Sequence, residues 1–216
     1  MAQSPPSGTE SQIWPEVDAH LEFRDQLRVL AFSGVQQGVG FPYQQWFAAA
    51  GLGYQFKRIP RIEKIDPDKE HYLVLGGGYE FLRTIQSGKV TEEDRVIIDL
   101  TFSYHLPADL LVRDRNWIEL RWVNGTYSTT YRNMVFVEHG FLVHGIHFTP
   151  YGSAEIFYNG DKHSWNQEWY TAGIQWPYKH SFMLDMYYRR ENCPSCVPAN
   201  WNVAGLTLNF YSGNKK

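Results

Sequence analysis

The stretch NWIELRW, residues 116–122, alternates without a slip: Ile118, Leu120 and Trp122 share one face, and Trp117, Glu119 and Arg121 share the other. A period of two is that of a strand, whose successive side chains point to opposite sides of a sheet. The pattern marks a sheet with one dry side and one wet side, but not which side faces inward. Either the apolar face is a core covered by a second layer, or it is the outside of a barrel wetted by lipid. The rest of the chain has to choose.

The same alternation recurs in about eleven segments. WPEVDAHLEF sets Val17, Ala19, Leu21 and Phe23 against Glu16, Asp18, His20 and Glu22. RVIIDLTFSYHL sets Val96, Ile98, Leu100, Phe102 and Tyr104 against Arg95, Asp99, Thr101, Ser103 and His105. QLRVLAFSG, QWFAAAGLGYQF, YLVLGGGYEFL, YRNMVFVEH, HFTPYGSAEIFY, EWYTAGIQW, SFMLDMYYR and NVAGLTLNFY complete the set. RTIQSGKVTEED reads as a loop by composition and VNGTY as a turn. Pro150 suits a sheet only at an edge or a bulge. No linker divides the chain, so one domain is expected over 12–212, with tails at 1–11 and 213–216.

A mean hydropathy of −0.43, with no run approaching the roughly 20 apolar residues of a spanning helix, excludes a helical membrane protein. It does not exclude a membrane barrel, whose strands are only half apolar. The net charge of −3 suggests no polyanion-binding surface, and no nucleic-acid partner is expected. MAQSPPSGTESQ has no apolar signal-peptide segment. AQSPPSG reads as a mature start left by signal peptidase, with Met1 supplied for expression. Cys193 and Cys196, in NCPSC, lack the second pair that a structural zinc site needs. They read as a small disulfide closing a surface loop, the alternative being an unbonded pair.

Four features favour lipid on the apolar side. Connections alternate in length: short at RD, GFLVHG and PYKH, longer at QQGVGFPYQ, NGDKHSWNQ and ENCPSCVPAN, the rhythm of a membrane barrel. Aromatics gather where strands meet turns, at Tyr104, Trp122, Tyr158, Trp165, Trp176 and Tyr178, as in interfacial girdles. Charges of both signs share one phase of consecutive strands: Arg95, Asp99, Arg115, Glu119, Arg121, Arg132, Glu138 and Glu155. Paired across strands, they would line a lumen without isolated burial. Val96, Ile98, Leu100, Phe102, Ile118, Leu120, Val135, Val137, Leu206, Leu208 and Phe210 would then meet lipid. Finally, Gly205, Leu208 and Phe210, with Leu206, match the C-terminal signal read by the outer-membrane assembly machinery, although YSGNKK continues past the aromatic.

Taken together, IWPEVDAHLEFRDQL, WIELRW, YRNMVFVEHG, TPYGSAEIFYN and NVAGLTLNFY resemble an uncharacterised bacterial outer-membrane barrel family, domain-of-unknown-function family 2490. The resemblance runs from about residue 12 to residue 211 and rests most on Arg132, Asn133 and Glu138 and on the block Pro150, Tyr151, Glu155 and Phe157. Relatives usually carry a further Arg where this chain has Met134, and often another where it has Trp169. The resemblance implies a secreted precursor and an outer-membrane location, and no reaction.

Several constellations were weighed as sites. Asp99, Ser103 and His105 share a face, and barrel phospholipases use a Ser–His pair. Residues i and i+2 lie about 7 Å apart along a strand, too far for a direct hydrogen bond, and the lipase pair belongs on the lipid face. Lys179–Ser181 (KHS) resembles the pairing of lipid A deacylases, but sits in what reads as a periplasmic turn. His139, His144 and His147 flank a hairpin and read as solvated rather than metal-binding. Gly76–Gly78 are followed by no phosphate-loop Lys and read as strand glycines that let the wall bend or admit a bulky lumen side chain, as do Gly51 and Gly53. No catalytic residue, cofactor or metal is expected.

The expected fold is all-β: an antiparallel up-and-down transmembrane barrel of about 12 strands, with 10 as the alternative. Bacterial single-chain barrels have an even count, so a strand is expected to hide in 57–71. The expected role is a non-enzymatic outer-membrane protein, either a narrow passive channel for small polar solutes or a structural barrel, whose partners are membrane lipids and the assembly machinery. An arginine ladder at 95, 115, 121 and 132 would give weak anion preference. The alternatives are a lipid-modifying barrel enzyme, or a soluble periplasmic barrel with its faces exchanged and an apolar ligand inside.

Overall fold

In a computed structural model, which describes residues 8–24, 26–56, 69, 71–179, 181–196 and 198–212, the alternating segments are strands of one closed sheet. They are β1 (Thr9–Arg24), β2 (Leu27–Val39), β3 (Tyr43–Gln55), β4 (Leu73–Gln86), β5 (Lys89–Leu106), β6 (Leu110–Val123), β7 (Thr126–His139), β8 (Phe141–Val143), β9 (Ile146–Asn159), β10 (Ser164–Lys179), β11 (Phe182–Asn192) and β12 (Asn200–Ser212). Eleven of them form the wall, each beside its chain neighbour, and β8 is a short arm paired only to β9. All wall pairs are antiparallel except the closing one, where β1 runs parallel to β12.

With β8 the described strands number twelve, as expected, and the parallel seam goes with the eleven that close the wall. Among the described residues eleven strands form the wall, so the expectation that its count be even is not met. The expected extra strand in 57–71 falls largely outside the described residues. An odd barrel closes by pairing its first and last strands in the same direction.

The connections differ from expectation too. At one rim, called upper here, they span 40–42, 87–88, 124–125, 160–163 and 193–199; short turns therefore occur at both rims and the length alternation is absent. QQGVGFPYQ is mostly strand, because β2 runs to Val39 and β3 starts at Tyr43. RTIQSGKVTEED is no loop but the end of a hairpin: β4 continues to Gln86 and β5 starts at Lys89 around Ser87 and Gly88, with φ of 50° and 80°. Positive φ at both central residues is the type I′ geometry that matches the strand twist. Asn124–Gly125 repeats it, as the VNGTY turn implied. PYKH lies largely inside β10, with a register shift between Pro177 and Lys179.

Pro150 sits where β9 changes partner. The β7 ladder ends at Tyr151 and the β8 ladder begins at Phe148, so the missing proline N–H falls in the gap between them.

One layer makes up the fold, and its outside is apolar. Ile13, Val17, Leu52, Ile98, Ile118 and Leu206 are among the large apolar side chains left exposed. Outward aromatics pair near both rims: Trp46 with Phe81, Trp122 with Tyr127 and Tyr158 with Trp165 above; Tyr54 with Phe56, Tyr72 with Tyr104 and Phe182 with Phe210 below. The interior is the reverse of an ordinary core. Its most completely buried large side chains include Arg28, His71, Gln55, Glu119 and Glu138 beside Leu111 and Val203. A small apolar cluster of Trp14, Trp201 and Val203 interrupts it.

Candidate functional site: a charged lumen

The register sends Arg95 and Asp99 on β5, Arg115, Glu119 and Arg121 on β6, Arg132 and Glu138 on β7, and Glu155 on β9 toward the barrel axis. Their neighbours Val96, Ile98, Ile118, Val135, Val137, Leu206 and Leu208 are exposed on the outside, and Leu100, Phe102, Leu120 and Phe210, on the same phase, are half-covered. The faces follow from strand geometry alone.

Inside, the charges pair in tiers. Near the upper rim, Arg95 bonds Glu93 at 2.5 Å and Glu80 at 3.1 Å, and Arg121 bonds Glu93 at 2.5 Å. Halfway down, Arg132 bridges Glu119 at 2.7 Å and Glu155 at 2.9 Å, while Arg115 reaches Glu155 at 3.4 Å. Guanidinium groups also lie over rings: Arg115 over Trp117 at 3.9 Å, Arg132 over Phe157 at 4.7 Å, and Arg189 over Trp169 at 4.6 Å and Trp14 at 5.0 Å. Buried ions are tolerated when paired and hydrogen-bonded in this way.

At the lower rim, Lys69 forms a bar across the lumen. Its ammonium donates to Glu138 on β7 and, at 2.5 Å, to Gln175 on β10, while His105 on β5 contacts its carbonyl at 3.1 Å. The inward side chains at this level, including Thr101, Ser103, Leu111 and His71, are fully buried. Above the bar lies a cavity of about 620 Å³ that reaches the upper-rim residues Gln36, Gln45, Asn159 and Asn166. Among the described residues the lumen is therefore barred below by Lys69 and reaches the upper rim.

Two glycines shape it. A Cβ on Gly205 would lie 1.9 Å from Cζ of Tyr187, and one on Gly173 would lie 2.5 Å from Cζ of Tyr151. Each tyrosine lies flat across a wall strand because that strand has no side chain there. Gly51 and Gly78 act differently: added Cβ atoms would meet the backbone oxygens of Gly77 and Ala50 at 2.8 Å. These glycines accommodate close backbone approach, not a crossing lumen side chain.

Three expectations are corrected here. The arginines at 95, 115, 121 and 132 form no free ladder, since each is held by glutamate. An apolar ligand inside a barrel with exchanged faces is overturned, because the lumen is lined by ions. Asp99 lies apart from the main cavity, in a small niche beside Gly76, Gly78 and Trp117.

The remaining residues are placed as follows. Ser103 is buried facing inward, and His105 is engaged by Lys69. His180 of the KHS motif lies outside the described residues. The His139 ring packs on Phe141 at 4.3 Å. Among the described residues no group of three His, Cys, Asp or Glu could hold a metal ion. Cys193 is disulfide-bonded to Cys196 in the β11–β12 connection.

Sequence reasoning missed Glu80, Glu93, Arg113, Asp185, Arg189, Glu191 and Lys69 as lumen residues. Glu93 was hidden by reading its hairpin as loop. Arg189 and Glu191 were legible as alternation in DMYYRREN. Lys69 carried no signal, since no strand phase reaches it.

One family model, described as a protein of unknown function (DUF2490), matches residues 11–195. No curated protein and no solved structure matches the chain.

Proposed function

The chain belongs to the DUF2490 family, and from that premise and the orientation of its wall we propose an integral bacterial outer-membrane barrel with a polar, blind lumen. The supporting observation is the single-layer wall, which leaves apolar side chains exposed around its circumference while its ions pair inside. A monomeric soluble protein rarely exposes contiguous apolar area beyond a few hundred Å², whereas acyl chains would cover this belt. The outward aromatics near both rims suit the headgroup level. In this reading the barrel performs no catalysis. Its partners are membrane lipids and, during insertion, the assembly machinery that reads Gly205, Leu208 and Phe210.

Flotation tests the reading. Protein refolded from denaturant in the presence of phosphatidylcholine vesicles is expected to float with them, and to precipitate when no amphiphile is present. A folded, monodisperse protein in plain buffer would remove the membrane assignment.

A further inference from the structure

On one side of the lumen the carboxylates form no ion pair among the described residues. β1 and β11 present Glu16, Asp18, Asp185 and Glu191 to the cavity. Glu16 and Asp185 both stand level with Thr207 of the intervening β12, so their backbones lie about 10 Å apart. None of the four carboxylates makes an ion pair within the described residues, in contrast to Glu80, Glu93, Glu119 and Glu155 across the lumen. Asp185 accepts hydrogen bonds from Tyr151 at 2.9 Å and Gln175 at 3.3 Å. Glu191 is only 5 % exposed, lines the cavity, and its Oε1 has no hydrogen-bond partner. Oδ1 of Asp18 is likewise buried without one.

Arg189 stands on β11 itself, two residues from Glu191 and four from Asp185, and its Nε donates to Thr171 at 3.1 Å. Its guanidinium rests over Trp14, Trp169 and Tyr187. The lumen thus already holds a planar organic cation against aromatic faces, beside carboxylates with lone pairs to spare. A charged group buried in a cavity is stabilised by an opposite charge brought to it, and ring faces favour a dispersed organic cation.

We infer that the lumen binds a small organic cation bearing an ammonium or guanidinium group, with Glu191 toward the mouth and Glu16, Asp18 and Asp185 deeper. A cavity of about 620 Å³ is within the range of small-molecule sites. The inference rests on the lumen being accessible from the upper rim, not on lipid meeting the wall.

The test uses the full chain refolded in detergent micelles at low salt, with intrinsic tryptophan fluorescence as readout, since Trp14, Trp117, Trp169 and Trp201 line the cavity. Agmatine is the probe cation and succinate the probe anion. Agmatine is expected to give a saturable change and succinate none. The half-saturation point is expected to rise about tenfold in the double variant Glu16→Gln/Asp18→Asn and in Glu191→Gln. A succinate response equal to that of agmatine, no saturable agmatine response, or variants that titrate like the parent would each overturn the proposal. Heat-shifted electrophoretic mobility reports folding. If the double variant does not fold, Glu191→Gln and the cation-to-anion comparison on the parent chain still decide. Binding without vesicle flotation would defeat the membrane reading alone, and flotation without binding would defeat this inference alone.

Discussion

Arg132 shows how the lumen tolerates its ions. It holds two buried carboxylates, Glu119 and Glu155, sharing the second with Arg115, and three rings surround its guanidinium. Arg132→Ala would leave Glu119 buried without its ion-pair partner and Glu155 with Arg115 alone, so a loss of about 3–5 kcal/mol is expected. Arg83 provides the comparison: its pairing with Glu92 is long, at 3.7 Å, and both side chains are about half exposed, at 42% and 53%. Arg83→Ala should cost under about 1 kcal/mol. Urea unfolding midpoints of the two variants in the same detergent compare these values; equal losses would show that the lumen pairs are solvated. Lys69 poses a different question, because its bonds to Glu138 and Gln175 lie across the lower rim. In planar bilayers the parent chain is expected to show no steady unitary current, and Lys69→Ala is expected to show brief openings. Steady parent currents would contradict the blind lumen.

Strands here are set by alternation, but their packing is set by pairs of strands. Gly205 is part of the proposed assembly signal, and the structure gives an independent reason for a glycine there: the Tyr187 ring from β11 lies across it. Gly205→Ala forces the ring from β12, so destabilisation of about 1–3 kcal/mol is expected. Tyr187→Ala in the same chain should recover part of that loss, read as a double-mutant cycle on the unfolding midpoint. Additive losses would show that the two residues do not share a contact. The β4–β5 hairpin teaches a related lesson. Its tip is charged and polar on both sides, so composition pointed to loop, yet Ser87–Gly88 carried the turn signal and the ladder runs to the last residue pair. Polar strands pair as well as amphipathic ones once a two-residue turn fixes their register.

Closure is a property of the whole wall. Because β1 and β12 run parallel, β1 begins at the upper rim and β12 ends at the lower one. In a membrane, Thr9→Cys and Ser212→Cys should therefore react with an impermeant maleimide from opposite faces. Both native cysteines are disulfide-bonded and give no background. Labelling of both positions from one face would mean an even barrel or a reversed seam strand. The wall also distributes charge unevenly, with the arginine–glutamate tiers on β4 to β9 and, on β1 and β11, carboxylates that form no ion pair among the described residues. The anion preference that an arginine ladder would have given therefore has no basis in the wall, and the inferred cation site lies on the side of β1 and β11.

The amino-acid sequence determined which residues share a face, because a strand has a period of two wherever it sits. Eight charges and eleven apolar residues were thereby set in opposite phases, which the registers reproduce, although the period alone did not say which phase faced inward. It determined the all-β class and the VNGTY turn for the same local reason. Only the tertiary structure decided the number and parity of wall strands, since closure depends on which distant edges meet. Only it could show that every arginine of the supposed ladder has a glutamate, and that Lys69, between two strands and on no strand phase, bars the lower rim. Such contacts depend on how strands tilt and stagger around an axis, and a one-dimensional pattern contains no axis.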